Sequence, residues 1–258
     1  MNCQIVIPAR LASTRLPEKL LRKAGGKTIL QHTHEAACRS AVADGVVVAV
    51  DDRRLAEEVE SFGGRYIMTS DDCPSGTDRI AEVAASMPEA DVFVNVQGDE
   101  PEICPKVIDA VAKLLIEDPE ADMATAGTPI RCSTSLRDPS CVKIVMALNG
   151  LENSGQGRAV YFSRAAVPFL REGFNDQALM REPPLFWHHI GLYAYRRDFL
   201  TWFASKPPSF LEQTEKLEQL RAIESGKKIL VTRIESATPG IDTQEDLEAF
   251  IARLVEEA

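Results

Sequence analysis

The chain has 258 residues, 45% hydrophobic and 26% charged, with 39 acidic against 29 basic side chains and a formal net charge of −10. These are globular proportions with material for a sizeable core, and the acidic balance excludes a broad nucleic-acid surface, so any bound anion must meet a local cluster of cations. No apolar run approaches the about 20 residues of a membrane span, no signal peptide is legible, and the six cysteines show neither a Cys-x-x-Cys pair nor zinc spacing to the four histidines. The expectation is a cytoplasmic protein with buried, reduced cysteines and no membrane or nucleic-acid partner.

The first predicted strand, around Ile5-Val6-Ile7, cannot continue far past Pro8, which lacks an amide hydrogen for a sheet ladder. It empties into a loop carrying Arg10, Arg15 and Lys19, with the small residues Ala12 and Ser13 between them. Three cations held together in an acidic chain suit a polyphosphate, with backbone amides as an additional nest; scattered surface ion pairs are the other reading. Neither a P-loop nor a Gly-x-Gly-x-x-Gly element follows the strand.

Thr28 to Ala41 has helical character, Val46 to Val50 reads as a strand buried on both faces, Asp51 to Phe62 as an amphipathic helix ended by Gly63-Gly64, and Arg65 to Met68 as a short strand. This alternation predicts a parallel sheet. Ser75-Gly76-Thr77 leads into a helix from about Asp78 to Ser86, and serves either as its cap or as a ligand cradle at a helix start. Asp91 to Val96 is a further buried strand ending in Gln97-Gly98-Asp99-Glu100-Pro101. Asp99 is either a turn cap or, beside the cationic loop at the carboxyl ends of neighbouring parallel strands, a carboxylate for a magnesium ion shared with phosphate.

Cys104 to Ile116 is predicted helical. Met123 to Pro129, Cys141 to Leu148, Arg158 to Phe162 and Leu185 to Tyr195 read as strands or mixed segments, with a polar tip over Asn149 to Gly157. Val142, Ile144, Val145, Val160, Tyr161 and Phe162 form an antiparallel extension or a dimer surface. Leu211 to Ser225 is predicted as one helix closed by Gly226, Ile229 to Ile234 as the last strand, and Thr243 to Val255 as the final helix. Asp242 before it is a helix cap or a second metal carboxylate.

Ile7-Pro8-Ala9-Arg10, Ser13-Thr14-Arg15-Leu16-Pro17 with Lys19, Ser75-Gly76-Thr77-Asp78-Arg79, Asn95-Val96-Gln97-Gly98-Asp99-Glu100-Pro101, Tyr161-Phe162-Ser163-Arg164, His189-Ile190-Gly191-Leu192-Tyr193, Leu217-Glu218-Gln219-Leu220-Arg221 and Asp242-Thr243-Gln244-Glu245-Asp246-Leu247 follow one another across nearly the whole chain. In this combination the sequence closely resembles the 3-deoxy-manno-octulosonate cytidylyltransferase family, the CMP-Kdo synthetases of lipopolysaccharide biosynthesis. The resemblance implies an α/β, Rossmann-like nucleotidyltransferase fold with a mostly parallel central sheet, in a single domain over residues 1–258 with a dimerisation segment within about 130–195. It implies a magnesium-dependent reaction of CTP with Kdo, giving CMP-Kdo and pyrophosphate, and a homodimer.

By the same resemblance Arg10, Arg15 and Lys19 hold the triphosphate, while Ala9, Ser75, Gly76, Thr77 and Arg79 border the nucleotide. Gln97 stands between nucleotide and sugar. Asp99 and Asp242 become magnesium ligands and, with the three cations, the catalytic set. Arg164, His189, Tyr193, Glu218 and Gln219 become the acid-sugar pocket. The chemistry agrees, because in-line attack of an anomeric hydroxyl on the α-phosphorus needs charge neutralisation and positioning rather than a covalent nucleophile. His189 is the base if there is one, a sugar hydrogen bond being the other role and a satisfied core histidine the third. Arg164 suits the sugar carboxylate through its planar fork.

Two departures stand out: Cys73 where the family commonly has histidine, and a tip from Leu151 to Gly157 longer than the family turn. An 8-amino variant of Kdo or a sialic acid is the alternative substrate, ahead of a metal-dependent glycosyltransferase or an inactive nucleotide-binding module. The last two fit less well, because Asp99-Glu100-Pro101 is not Asp-x-Asp and Lys19, Asp99 and Asp242 are all present.

Overall fold

The computed structural model describes residues 1–13, 15–148, 155–236 and 238–256. In chain order the regular elements are β1 (Cys3–Ala9), the two-residue strands β2 (Lys23–Ala24) and β3 (Lys27–Thr28), α1 (Ile29–Ala37), β4 (Gly45–Val50), α2 (Arg53–Ser61), β5 (Tyr66–Met68), α3 (Gly76–Ser86), β6 (Val92–Asn95), α4 (Pro105–Glu117), β7 (Met123–Pro129), α5 (Ser133–Arg137), β8 (Lys143–Leu148), β9 (Gln156–Ser163), β10 (Trp187–Arg196), α6 (Arg197–Ala204), α7 (Phe210–Glu215), α8 (Gln219–Glu224), β11 (Ile229–Arg233) and α9 (Gln244–Glu256). No helix among the described residues is long and apolar enough to cross a membrane.

One nine-stranded sheet, in the order β5-β4-β1-β6-β10-β7-β11-β9-β8, carries the fold. β4, β1 and β6 pair in parallel, as do β7 and β11, and β10 enters antiparallel between β6 and β7. The expected α/β architecture is therefore present, with only β9 and β10 running against the common direction of the sheet. The β-branched runs explain the centre. Along β1, Ile5, Ile7 and Ala9 join one apolar layer with Val48, Val50, Val92 and Val94, against α1, α2, α4 and α9. Val6, Val47, Ala49 and Phe93 alternate to the other layer, under α3, α6 and α8. A strand buried on both faces has nowhere polar to point, which is why these runs read as continuous rather than alternating.

The chain departs from expectation where polar detail overrides apolar periodicity. Leu211 to Ser225 is not one helix but two, because Lys216 adopts a left-handed conformation at φ 55° and ψ 50° and ends α7. The predicted strands from Cys141, Arg158 and Leu185 appear as β8, β9 and β10, and β8 with β9 forms the antiparallel extension. Of the polar tip, residues 149–154 lie outside the described residues, and Gln156 and Gly157 already belong to β9. Thr14 of the cationic loop lies outside them too. Helices α5 and α6 were not expected. α6 follows β10 directly and buries Phe199, Leu200 and Phe203.

The break between α7 and α8 is held by a buried ion pair. Arg221 donates to both Glu212 oxygens, at 2.6 and 2.8 Å, and to the carbonyls of Phe203 and Lys206, while its guanidinium lies 3.8 Å from the Phe203 ring centroid. Burial works against the Arg221 charge, but Glu212 outweighs it and raises the pKa. Removing Glu212 strands that charge out of water. Glu212→Ala is therefore expected to cost about 3–5 kcal/mol in urea unfolding; a loss below about 1 kcal/mol would return the pair to the class of marginal surface bridges.

Candidate active site

Because β1 and β6 are parallel neighbours, their carboxyl ends deliver residues 10–19 and 97–101 to the same edge, and the chain leaves β1 towards β4 on one side and β6 on the other. This is the topological switch point at which open α/β sheets bind ligands. Close approach is enforced by Gly98, where a Cβ would lie 3.0 Å from the Pro8 carbonyl oxygen and 3.3 Å from Leu20. The Gly98 carbonyl accepts from Thr33 Oγ1 at 2.9 Å, which pins the turn to α1. After β11, the backbone amide of Ile241 donates to the Asp99 carbonyl at 2.8 Å and brings Asp242 to the same place.

There the charges meet. Lys19 Nζ lies 2.5 Å from Asp99 Oδ2 and 2.9 Å from Asp242 Oδ1, and Arg15 binds the other Asp242 oxygen at 2.9 Å. Burial opposes the Lys19 charge, but Asp99 and Asp242 together raise its pKa. Asp242 does not cap α9 with its side chain; Asp246 takes that end, accepting from the amides of Asp242 and Thr243. Asp99 and Asp242 thus converge on one cation position. Among the described residues no cluster of three or more His, Cys, Asp or Glu side chains could hold a metal. Two carboxylates alone suit magnesium, which takes its remaining oxygens from phosphate and water.

A cleft of about 360 Å³ opens beside this pair, lined by Arg10, Ser13, Lys19, Ser75, Gly76, Gln97 and Asp99 among others. Arg10 donates to the Cys73 carbonyl at 2.9 Å and ties the cationic loop to the loop before α3. Ser75 is the N-cap of α3, its Oγ accepting from the Asp78 amide, and it also borders the cleft. Cap and cleft wall are thus one residue. A Cβ on Gly76 would meet no protein atom within 4 Å, so this glycine answers to open space rather than to packing.

A second cavity of about 330 Å³ adjoins it, sharing Gly76, Gln97 and Glu218 with the first. Thr77, Tyr193 and Gln219 line it, with Asn95, Gly191, Tyr195, Phe199, Phe203 and Lys216. Glu218 accepts from Thr77 Oγ1 at 2.8 Å; burial pushes its carboxyl up, against the hydrogen bonds of Thr77 and Ser75. Gln219 is 6% exposed and its Nε2 has no hydrogen-bond partner among the described residues. The β10 register shifts between Ile190 and Tyr193, a bulge that places Gly191 and Tyr193 at the cavity. Thr125 Oγ1 lies 3.0 and 2.8 Å from the carbonyls of Ile190 and Leu192, so its one proton serves the bulge.

Four expected residues stand elsewhere. Ala9 is fully buried as the last residue of β1. Arg79 is fully buried beneath the loops, bonded to Thr69 and to Asp51, whose other oxygen accepts from the Leu11 amide; it braces the cationic loop from below. Arg164 donates to the carbonyls of Pro139, Glu215 and Lys216, so its fork is engaged with backbone. His189 packs against the Phe162 and Tyr193 rings, with Thr125 Oγ1 3.2 Å from Nε2. Desolvation, with His188 alongside, pushes its pKa down to about 3. Cys73 bonds Glu82, and burial pushes its thiol up to about 11. Several cavity residues were missed, Tyr195 and Asn95 among them. Tyr195 follows Tyr193 by two positions on one strand face, and Asn95 is the polar end of an apolar strand; either pattern was readable.

Residues 4–229 match the cytidylyltransferase sequence family. The 3-deoxy-manno-octulosonate cytidylyltransferase of Rhodopirellula baltica is 61% identical over 98% of this chain and 99% of its own. That of Geobacter sulfurreducens is 45% identical over 98% and 100%. The solved structure of a CMP:2-keto-3-deoxy-manno-octonic acid synthetase complexed with CTP superposes with a TM-score of 0.89 at 38% identity, covering 100% of both chains. The chain belongs to the 3-deoxy-manno-octulosonate cytidylyltransferase family.

Gly98 tests the geometry. In Gly98→Ala the added methyl meets backbone at 3.0 Å and must push the Asp99 turn away from β1. Stability is expected to fall by about 1–3 kcal/mol, and turnover by about 10² through displacement of Asp99. Unchanged turnover at full occupancy would mean that Asp99 is positioned independently of this contact.

Proposed function

We propose that this cytidylyltransferase transfers CMP from CTP to the anomeric hydroxyl of 3-deoxy-D-manno-octulosonate, releasing pyrophosphate and supplying CMP-Kdo for lipopolysaccharide biosynthesis. The observation that carries the reading is the pair of joined cavities. One is lined by cations beside two converging carboxylates, the other by polar and aromatic groups with an unpaired, buried Gln219 amide, and Gln97 stands in both.

Arg10, Arg15 and Lys19 neutralise the triphosphate, with Ser75, Gly76 and Thr77 along the nucleotide and Arg79 bracing the loop that carries Arg10. Asp99 and Asp242 would hold magnesium, which would neutralise phosphate charge and lower the pKa of the attacking hydroxyl. Lys19, seated between the two carboxylates, would turn to the phosphates. Gln97, Tyr193, Glu218 and Gln219 orient the sugar so that its hydroxyl faces the α-phosphorus in line with departing pyrophosphate. Arg164 meets the sugar carboxylate by exchanging a backbone carbonyl for it. His189, neutral and weakly basic, positions this wall rather than accepting the proton.

We also assign the chain one catalytic domain, a cytoplasmic location in keeping with its free cysteines, and a homodimer. The dimer contact falls within 130–195, where Phe169, Phe174 and Met180 are 88, 40 and 68% exposed.

Pyrophosphate release is expected only with magnesium, CTP and Kdo together. Dependence on 8-amino-Kdo or a sialic acid instead would keep the chemistry and replace the substrate, and a response to UTP or ATP in place of CTP would overturn the nucleotide. Asp99→Ala is expected to remove turnover while circular dichroism is retained; near-normal turnover takes Asp99 out of the metal site. In light scattering the protein should have twice its 28.4 kDa chain mass, and Phe169→Asp should shift it towards monomer.

A further inference from the structure

A row of polar side chains crosses the wall of the second cavity, and two of its members have no part in the function just assigned. Gln97 Nε2 donates to Asn95 Oδ1 at 3.3 Å. The Asn95 side chain reaches the Tyr195 hydroxyl and, against the burial that raises its pKa, acts to lower it. Tyr195 Oη lies 3.3 Å from Thr77 Oγ1, and Thr77 Oγ1 donates to Glu218 Oε2 at 2.8 Å. Asn95 and Tyr195 are 3% and 2% exposed, and all five residues line the cavity.

Proton counting orders the row. A hydroxyl has a single proton, and Thr77 commits its own to the Glu218 carboxylate, so Tyr195 is the donor between Tyr195 and Thr77. The Tyr195 oxygen must then accept from the Asn95 amide nitrogen. That leaves Asn95 Oδ1 for Gln97 and makes Gln97 the donor, as the Gln97–Asn95 contact has it. Every bond points the same way and the last ends on a carboxylate, an arrangement in which each bond strengthens the next. With Nε2 committed to Asn95, Gln97 keeps its carbonyl oxygen for the junction of the two cavities.

We infer that Tyr195 is a positioning residue for the sugar: its hydroxyl, the middle link between Asn95 and Thr77, fixes the Gln97 amide with its carbonyl towards the substrate and steadies Glu218 on the opposite wall. The inference rests on the reading of this cavity as the sugar site. The phenol is held by packing as well as by hydrogen bonds, its ring stacked on Tyr193 at 5.6 Å and on Phe199 at 5.7 Å with an interplanar angle of 2°. Tyr195→Phe therefore keeps the stack and removes only the link. Asn95 loses its acceptor, its amide is free to turn over, and the Gln97 amide turns with it.

The test is a steady-state comparison of wild type, Tyr195→Phe, Asn95→Leu and the double variant, with CTP and Kdo varied separately and thermal melts alongside. In Tyr195→Phe, KM for Kdo is expected to rise about tenfold with KM for CTP unchanged. The double variant should be no worse than the weaker single one, because either change breaks the same row. Unchanged KM values, equal losses for both substrates, or effects that multiply in the double variant would overturn the inference and leave Tyr195 a packing residue. If Tyr195→Phe fails to fold, Asn95→Leu alone breaks the adjacent link and carries the same expectations. Wild-type protein that folds and binds CTP but releases no pyrophosphate with Kdo would sink the function and this inference together; Kdo turnover in wild type with an unaffected variant sinks the inference alone.

Discussion

The interaction on which the rest of the structure depends is the seat of Lys19 between Asp99 and Asp242. Residues 99 and 242 are far apart in the chain, and two carboxylates brought within reach of one point repel each other unless a cation stands there. The fold meets that demand from its first loop. Strand β1 lies between β4 and β6 because its side chains are apolar on both faces, and that central place sends residues 10–19 over the β6 turn that carries Asp99. The Ile241 amide then ties the Asp242 segment to the Asp99 carbonyl. Apolar packing chooses the edge, and electrostatics organises what gathers there.

Much of this was legible because it depends on side-chain type alone. Val46 to Val50 and Asp91 to Val96 can only be strands of a covered sheet, and the polar residues following them can only emerge at its edge. The cationic loop, the Gly98 turn and Asp99 were therefore expected at one edge before any coordinates, whereas Asp242 joined them only through the family resemblance. What stayed hidden depends on backbone conformation or on enclosure. Lys216 looks like any helical lysine, yet its left-handed conformation splits the predicted helix and turns Glu218 and Gln219 into the second cavity. Arg79, next to a Ser-Gly-Thr cradle, is expected by the resemblance to border the nucleotide, whereas its guanidinium is enclosed with Thr69 and Asp51. A cation's identity is visible in sequence, but which way it points is not.

Strand β10 shows the same limit from the other side. Its apolar content predicts a strand, but not that it would run antiparallel between β6 and β7 or bulge at Ile190. Both facts matter to the cavity. The antiparallel placement sets Tyr193 opposite Asn95 in register, and the bulge keeps His189 and Tyr193 from continuing a regular alternation along β10. His189 is left against Phe162 and Tyr193 with a depressed pKa, which is the environment of a neutral hydrogen-bonding group rather than of a base poised near neutrality.

The two cavities also divide the chemistry by the kind of stabilisation each can give. The first is built from full charges on loops, where Arg15 and Asp242 remain 66% and 42% exposed and a bound polyanion can still rearrange them. The second is built mostly from neutral groups on strands and helices, with Lys216 and Glu218 also in its wall and Asn95, Tyr195 and Gln219 almost wholly enclosed. Mobile charge suits a triphosphate whose charge redistributes as pyrophosphate departs, while a fixed neutral wall suits a sugar that must be held at one angle to the α-phosphorus. Gln97 is shared by both walls, and its amide is oriented from within the neutral one. In the function proposed above, the alignment of nucleophile and phosphate is accordingly set from the sugar side, and the charged side follows the phosphate.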